Sequence, residues 1–133
     1  RELGKSKYDF EWESLGLDYH NIQTKVDASD NVVTKEEVVV ELTSGKELRQ
    51  EGSKMRHCVA SYARSCKNGT CAIFSLRTKE YNGNSFKNKG TIELRNASVV
   101  QIRGKNNTSL DESALNIIRI WAKEKNISMG SYF

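Results

Sequence analysis

Apolar and polar positions divide this chain into short runs with two different periods. Tyr8, Phe10 and Trp12 recur at every second position, the spacing of a short strand or an aromatic arm. The rest of the first 31 residues alternates poorly, and Asp27 to Asn31 (DASDN) reads as a turn. Val38 to Leu42 (VVVEL) is dense in β-branched residues and predicts a strand, ended by Ser44 and Gly45. Lys46 to Gln50 predicts the first turn of a helix that Gly52 interrupts, and a second helix is expected from Ser53, a suitable N-cap. At roughly 100° per residue, Met55, Cys58, Val59, Tyr62 and Cys66 share one face of that second helix, with His57 and Arg64 opposite. This places Cys58 inward and His57 outward, so the two neighbours are not expected to pair as nucleophile and base.

Further along, Lys67 to Thr70 (KNGT) predicts a turn, Cys71 to Arg77 (CAIFSLR) a strand, and Thr78 to Lys89 a polar loop. Thr91 to Arg95 and Val99 to Arg103 read as a hairpin. A two-residue loop at Asn96-Ala97 would set Leu94 against Val99 but Ile92 against Gln101. Pairing Leu94 with Val100 and Ile92 with Ile102 keeps one face apolar, so the longer loop is expected. The other face then carries Thr91, Glu93, Gln101 and Arg103, extended by Ser75 and Arg77 if the preceding strand lies alongside. Ser109 and Glu112 have capping-box spacing, opening a helix whose core stripe is Ala114, Ile117, Ile118, Trp121 and Ala122. The tail NISMGSYF could add a strand. The expected fold is α+β: an antiparallel sheet of about four strands with two or three helices packed on one face.

Composition narrows this picture only slightly. At 133 residues the chain is expected to form a single domain, 1–133. It opens on Arg1 rather than Met, as a piece of a longer protein would. No apolar run reaches the ~20 residues of a membrane span and no signal peptide opens the chain, so no membrane partner and a cytoplasmic location are expected. Three cysteines at no zinc-finger spacing, with two histidines, predict free thiols rather than a metal site. The net charge of +4 mildly favours an anionic partner such as nucleic acid.

Chemically able side chains concentrate in Glu51 to Tyr62 (EGSKMRHCVASY) and Gln101 to Asn107 (QIRGKNN). His57 is the candidate catalytic residue, since imidazole moves a proton near neutral pH. Arg77, Gln101, Arg103 and Lys105 are candidate phosphate-binding residues: arginine offers paired donors, lysine a point charge, and Gly104 lets the backbone turn close to a ligand. Cys58, among apolar neighbours, is expected to be a buried inert thiol, Tyr62 and Trp121 to be core residues, and Glu51 to serve helix entry. No carboxylate cluster suits two divalent metals, no Gly-rich nucleotide loop is present, and no cofactor is expected.

The order LTSGKELRQEGSKMRHCVASY, CAIFSLR, GTIELRNASVVQIRGKNN and a Trp-bearing helix resembles the PcfJ-like family of conjugative plasmids and phages. The resemblance covers about 42–121, while 1–36, an arm or strand, carries none of it. It implies work near DNA or RNA in a mobile genetic element, without supplying a reaction or a catalytic residue. The expected function is therefore a nucleic-acid-associated domain binding phosphate through His57, Arg77, Arg103 and Lys105. Alternatives are a metal-independent enzyme acting on a phosphodiester or nucleotide, and a protein-interaction module within a larger plasmid or phage assembly.

Overall fold

In the computed structural model, which describes Lys7 and residues 9 to 132, five strands form one antiparallel meander in chain order. They are β1 (Tyr19–Val26), β2 (Val32–Leu42), β3 (Ala72–Lys79), β4 (Lys87–Arg95) and β5 (Ser98–Arg103). The helices among the described residues are α1 (Gly45–Met55), the five-residue α2 (Ala63–Lys67) and α3 (Glu112–Glu124), with short 3₁₀ turns between. The α+β expectation holds, with a fifth strand added. That strand is β1, whose register runs from Tyr19 opposite Val39 to Val26 opposite Val32. It is an edge strand, mostly exposed, so neither face need be apolar and its sequence shows no alternation. The DASDN turn joins it to β2, with the Asp27 carboxylate accepting from Ser29 N and Asn31 N at 2.9 Å each. Tyr8 lies outside the described residues. Phe10 and Trp12 meet edge-on, 6.1 Å between centroids, and Glu11 makes an isolated bridge to Ser44 rather than a strand.

The sheet is covered on both faces, not one. Alternation along β3 explains this, because successive residues point to opposite sides. Phe74 and Leu76 join Val39, Ile92, Leu94 and Ile102 on the side where α3 lays down Ile117, Ile118, Trp121 and Ala122. The Phe74 and Trp121 rings lie 5.0 Å apart, and Trp121 Nε1 donates to Leu17 O at 2.7 Å, tying the chain before β1 to this core. Ile73 and Leu42 face the other way, against Leu48 of α1, Val59 and Ala63. The cap of α3 is Asp111, whose side chain accepts from Ala114 N at 2.8 Å, two residues beyond the Ser109 expected there. The tail contributes a single parallel bridge, Ser128 to Ser98, and a 3₁₀ turn. No helix among the described residues is long and apolar enough to cross a membrane.

Two local expectations change. The β4–β5 loop is the two-residue Asn96-Ala97 turn after all, with both residues in left-handed conformation (φ 50° and 57°), as a twisted hairpin requires. Leu94 pairs with Val99, yet Ile92 still pairs with Ile102, because a bulge leaves Val100 unpaired and exposed. The bulge reconciles a short turn with an apolar inner face. Helix α1 does not break at Gly52 either. It starts at Ser44, whose hydroxyl accepts from Glu47 N at 3.1 Å while the Glu47 carboxylate accepts from Thr43 N at 2.9 Å. It runs through Gly52 to Met55 and stops at Arg56, which adopts φ 54°. Gly52 serves close approach: a Cβ there would sit 2.8 Å from the His57 carbonyl oxygen.

Candidate functional site

Reading α1 as one helix puts Leu48, Glu51, Gly52 and Met55 on a single buried stripe. A carboxylate on an apolar stripe needs partners, and the sheet supplies them. Glu51, 1 % exposed, accepts at Oε1 from Ser75 Oγ (2.9 Å) and Asn88 Nδ2 (2.6 Å), and at Oε2 from Thr91 Oγ1 (2.5 Å). The Arg77 guanidinium lies 3.8 Å from Oε1 and donates through Nε to Ser75 Oγ at 3.1 Å. Asn88 reaches this cluster because the β3–β4 register shifts after Leu76, setting Asn88 rather than Lys89 opposite Arg77.

Beyond Arg56 the chain doubles back, His57 N donating to Gly52 O at 3.2 Å, and this return carries the imidazole to the sheet. His57 Nε2 lies 2.8 Å from Thr91 Oγ1. A hydroxyl has one proton to donate. Thr91 gives it to Glu51, so it accepts from His57, whose Nε2 carries the ring proton and whose Nδ1 carries the lone pair. The three side chains form a directional relay: imidazole to hydroxyl to carboxylate. Burial holds the His57 pKa below its ordinary value; the Glu51 charge and the residue's own backbone oppose the shift, and Arg103 reinforces it. The ring is therefore neutral, able to take a proton at Nδ1.

The imidazole opens onto a hollow of about 160 Å³ whose lining includes Cys58, Tyr62, Thr91, Glu93, Gln101 and Arg103. Tyr62 comes from the 3₁₀ turn Val59–Tyr62, and its hydroxyl pKa is raised by burial and by the Glu93 charge, with Arg103 working the other way. Glu93, itself buried, is paired with Arg95. Arg103 ends β5 opposite Thr91 and donates to Asn107 Oδ1 at 3.2 Å. An anion in the hollow would meet the Arg103 guanidinium and the Gln101 amide on one wall and the imidazole on another.

A family model described as PcfJ-like protein matches residues 17–118, more than half of the chain. The chain belongs to the PcfJ-like family. The match begins well before Leu42 and takes in β1 and β2. No curated protein and no solved structure matches the chain.

Of the residues singled out from sequence in this PcfJ-like chain, the fold brings His57, Gln101 and Arg103 to one hollow. Arg77 stands at the Glu51 cluster and does not line the hollow. Lys105 does not line it either: it is exposed in the 3₁₀ turn Lys105–Asn107, past the point where Gly104 N bonds Thr108 O at 2.6 Å and turns the chain away. Cys58 and His57 exchange their expected environments, the thiol exposed and the imidazole half-buried, because the helix stops at Arg56 instead of continuing. Sequence reasoning missed Glu51 and Thr91 as partners of His57. The available signal was the position of Glu51, three residues after Leu48 and four before Met55. Among the described residues no group of three or more His, Cys, Asp or Glu side chains could hold a metal ion.

Proposed function

We propose that this domain works on a phosphate-bearing substrate, a nucleic acid or nucleotide of a plasmid or phage, with acid–base chemistry at the His57 hollow. The observation that carries this reading is the buried Glu51–Thr91–His57 relay opening beside Arg103. A solvated histidine needs no such wiring. A base does, because orienting the ring and fixing its tautomer leave Nδ1 as the nitrogen that takes a proton. In a hydrolytic step, Nδ1 takes a proton from water as its oxygen attacks phosphorus. The bond to the leaving oxygen breaks, and the imidazolium returns the proton to that oxygen. Arg103 offsets the negative charge that grows on the phosphoryl oxygens, and Gln101 orients them.

The test is to offer labelled DNA and RNA oligonucleotides and mononucleotides to the wild type and to His57→Ala, Arg103→Ala and Lys105→Ala. Binding through phosphate weakens steeply with added salt, and Arg103→Ala reduces the slope by about one. His57→Ala abolishes product while sparing the fold, and Lys105→Ala changes little. Affinity indifferent to salt and to Arg103 would refute the reading.

A second reading, binding without chemistry, draws on the net charge of +4 and on the exposed Lys105 near the same edge. In that case no product forms with any substrate, His57→Ala still binds, and Lys105→Ala weakens binding as much as Arg103→Ala.

A further inference from the structure

On the same side of the sheet, away from the His57 hollow, Cys66 at the end of α2 and Cys71 just before β3 bring their sulfurs to 3.8 Å. The chain between them turns back through Gly69, in left-handed conformation at φ 77°, with Thr70 N donating to Ser65 O at 2.9 Å and Gly69 N to Cys66 O at 3.1 Å. Both thiols are free and buried. Both nevertheless line a cavity of about 120 Å³ whose wall includes Trp12 and Thr70. Cys66 and Trp12 also line a second, larger opening of about 560 Å³. The indole Nε1–H of Trp12 is buried without a hydrogen-bond partner, a donor free to hold a small oxygen ligand.

We propose that Cys66 and Cys71 form a peroxide-reactive dithiol that closes reversibly to a disulfide. The small cavity sets the class of oxidant. Cys71 lines that cavity and not the larger opening, and the cavity has room for hydrogen peroxide, a molecule little larger than the water such cavities hold. The two thiols are not equivalent. Contact with Cys66 and the nearby Arg95 charge favour the Cys71 thiolate against the opposing effect of burial, whereas Cys71, burial and the charge of Glu41 push the Cys66 pKa up. Cys71 is thus the attacking sulfur. Its thiolate forms an S–O bond as the O–O bond of peroxide breaks, and hydroxide leaves, taking a proton to become water. The sulfur of Cys66 then attacks the Cys71 sulfenic acid, the S–O bond breaks, and the Cys66 proton leaves with the hydroxyl as a second water. Two thiols and one peroxide give one disulfide and two waters. Closing the pair from 3.8 Å to the ~2.05 Å of a disulfide draws the end of α2 toward β3, across the exposed KNGT turn.

This inference stands apart from the function proposed for His57 and is tested without it. The full chain, with exposed Cys58 changed to Ser, is treated with hydrogen peroxide, then alkylated under denaturing conditions and weighed intact. The expected product has lost two hydrogens, takes up no alkylating agent, and regains two reactive thiols after a dithiol reductant. In Cys66→Ser (with Cys58→Ser), Cys71 goes on to sulfinic acid instead, because nothing resolves the sulfenic acid. Thermal melts show whether each variant is folded before treatment. Two thiols that remain alkylatable after peroxide, or independent oxygenation of both cysteines without loss of two hydrogens, overturn the proposal.

Discussion

His57 Nε2 and Thr91 Oγ1 lie 2.8 Å apart across 34 residues of sequence, joining the end of the first helix to the middle of the sheet. Because Thr91 spends its single proton on Glu51, the bond fixes which imidazole nitrogen is protonated. Thr91→Val keeps the side-chain shape and removes the hydroxyl. We expect nitrogen chemical shifts to report Nε2–H as the dominant neutral tautomer in the wild type and a mixture in the variant. The half-buried ring and the carboxylate each lose a partner, so stability falls by about 1–3 kcal/mol in chemical denaturation. A variant with an unchanged tautomer ratio would show that the relay does not govern the ring.

The depressed His57 pKa sets a pH dependence whose sign follows from linkage. The unfolded chain binds a proton near the ordinary value of 6.5, and the folded chain only at lower pH. Unfolding therefore takes up a proton below about pH 6.5, so this residue's contribution is full above that pH and declines as pH falls through the window beneath it. His57→Gln should flatten the stability profile there. The neighbours separate in a nuclear magnetic resonance titration: Arg103→Ala raises the His57 pKa by removing a nearby positive charge, and Glu51→Gln lowers it further by removing a negative one. Shifts of the opposite sign would contradict the arrangement.

Glu51 holds α1 to β3 and β4 through Ser75, Asn88 and Thr91. Glu51→Ala leaves those donors without their acceptor in a site closed to water, costing on the order of 3 kcal/mol. Glu51→Gln, with the shape kept and hydroxyls able to rotate, should cost visibly less. Equal denaturation midpoints for Ala, Gln and wild type would mean that the cluster contributes no stability.

Gly52→Ala would help an ordinary helix by about 1 kcal/mol. Here the added methyl meets the His57 carbonyl at 2.8 Å, so the turn that returns His57 to the sheet must open. The expected result is a net loss of stability together with loss of the His57 ring's restricted environment in the titration above. A stabilised variant with an unaltered His57 resonance would disprove the close-approach role.

Cys58 is exposed and lines the hollow, whereas Cys66 and Cys71 are buried. In the native reduced state iodoacetamide should label one thiol rapidly, and peptide mapping should locate it at Cys58. Labelling should also block any anion that occupies the hollow. Equally rapid labelling of all three thiols would count against this geometry.

Much of this was legible in the sequence where burial and periodicity agree. The α3 stripe from Ala114 to Ala122 and the strand through Phe74 were readable because each faces a core that only apolar residues satisfy. So was the convergence of Thr91, Gln101 and Arg103 on one sheet face, which follows from alternation alone. The failures have physical causes. Gly52 resembles a helix breaker unless the approach of a distant carbonyl is known, and that single misreading moved His57 and Cys58 to the wrong sides. Strand β1 buries too little for patterning to be required of it. The bulge at Val100 obeys neither of the two regular registers, so each was half right.

In β3, Phe74 packs on Trp121 while the next residue, Ser75, serves Glu51 on the opposite side. Core and chemistry are thus interleaved one residue at a time on a shared ribbon. Such a ribbon accepts many substitutions but no change of length: one inserted or deleted residue there would hand a phenyl ring to a carboxylate and a hydroxyl to the indole. Natural variation in this segment should therefore consist of replacements, with length differences confined to the Glu80–Phe86 loop that follows.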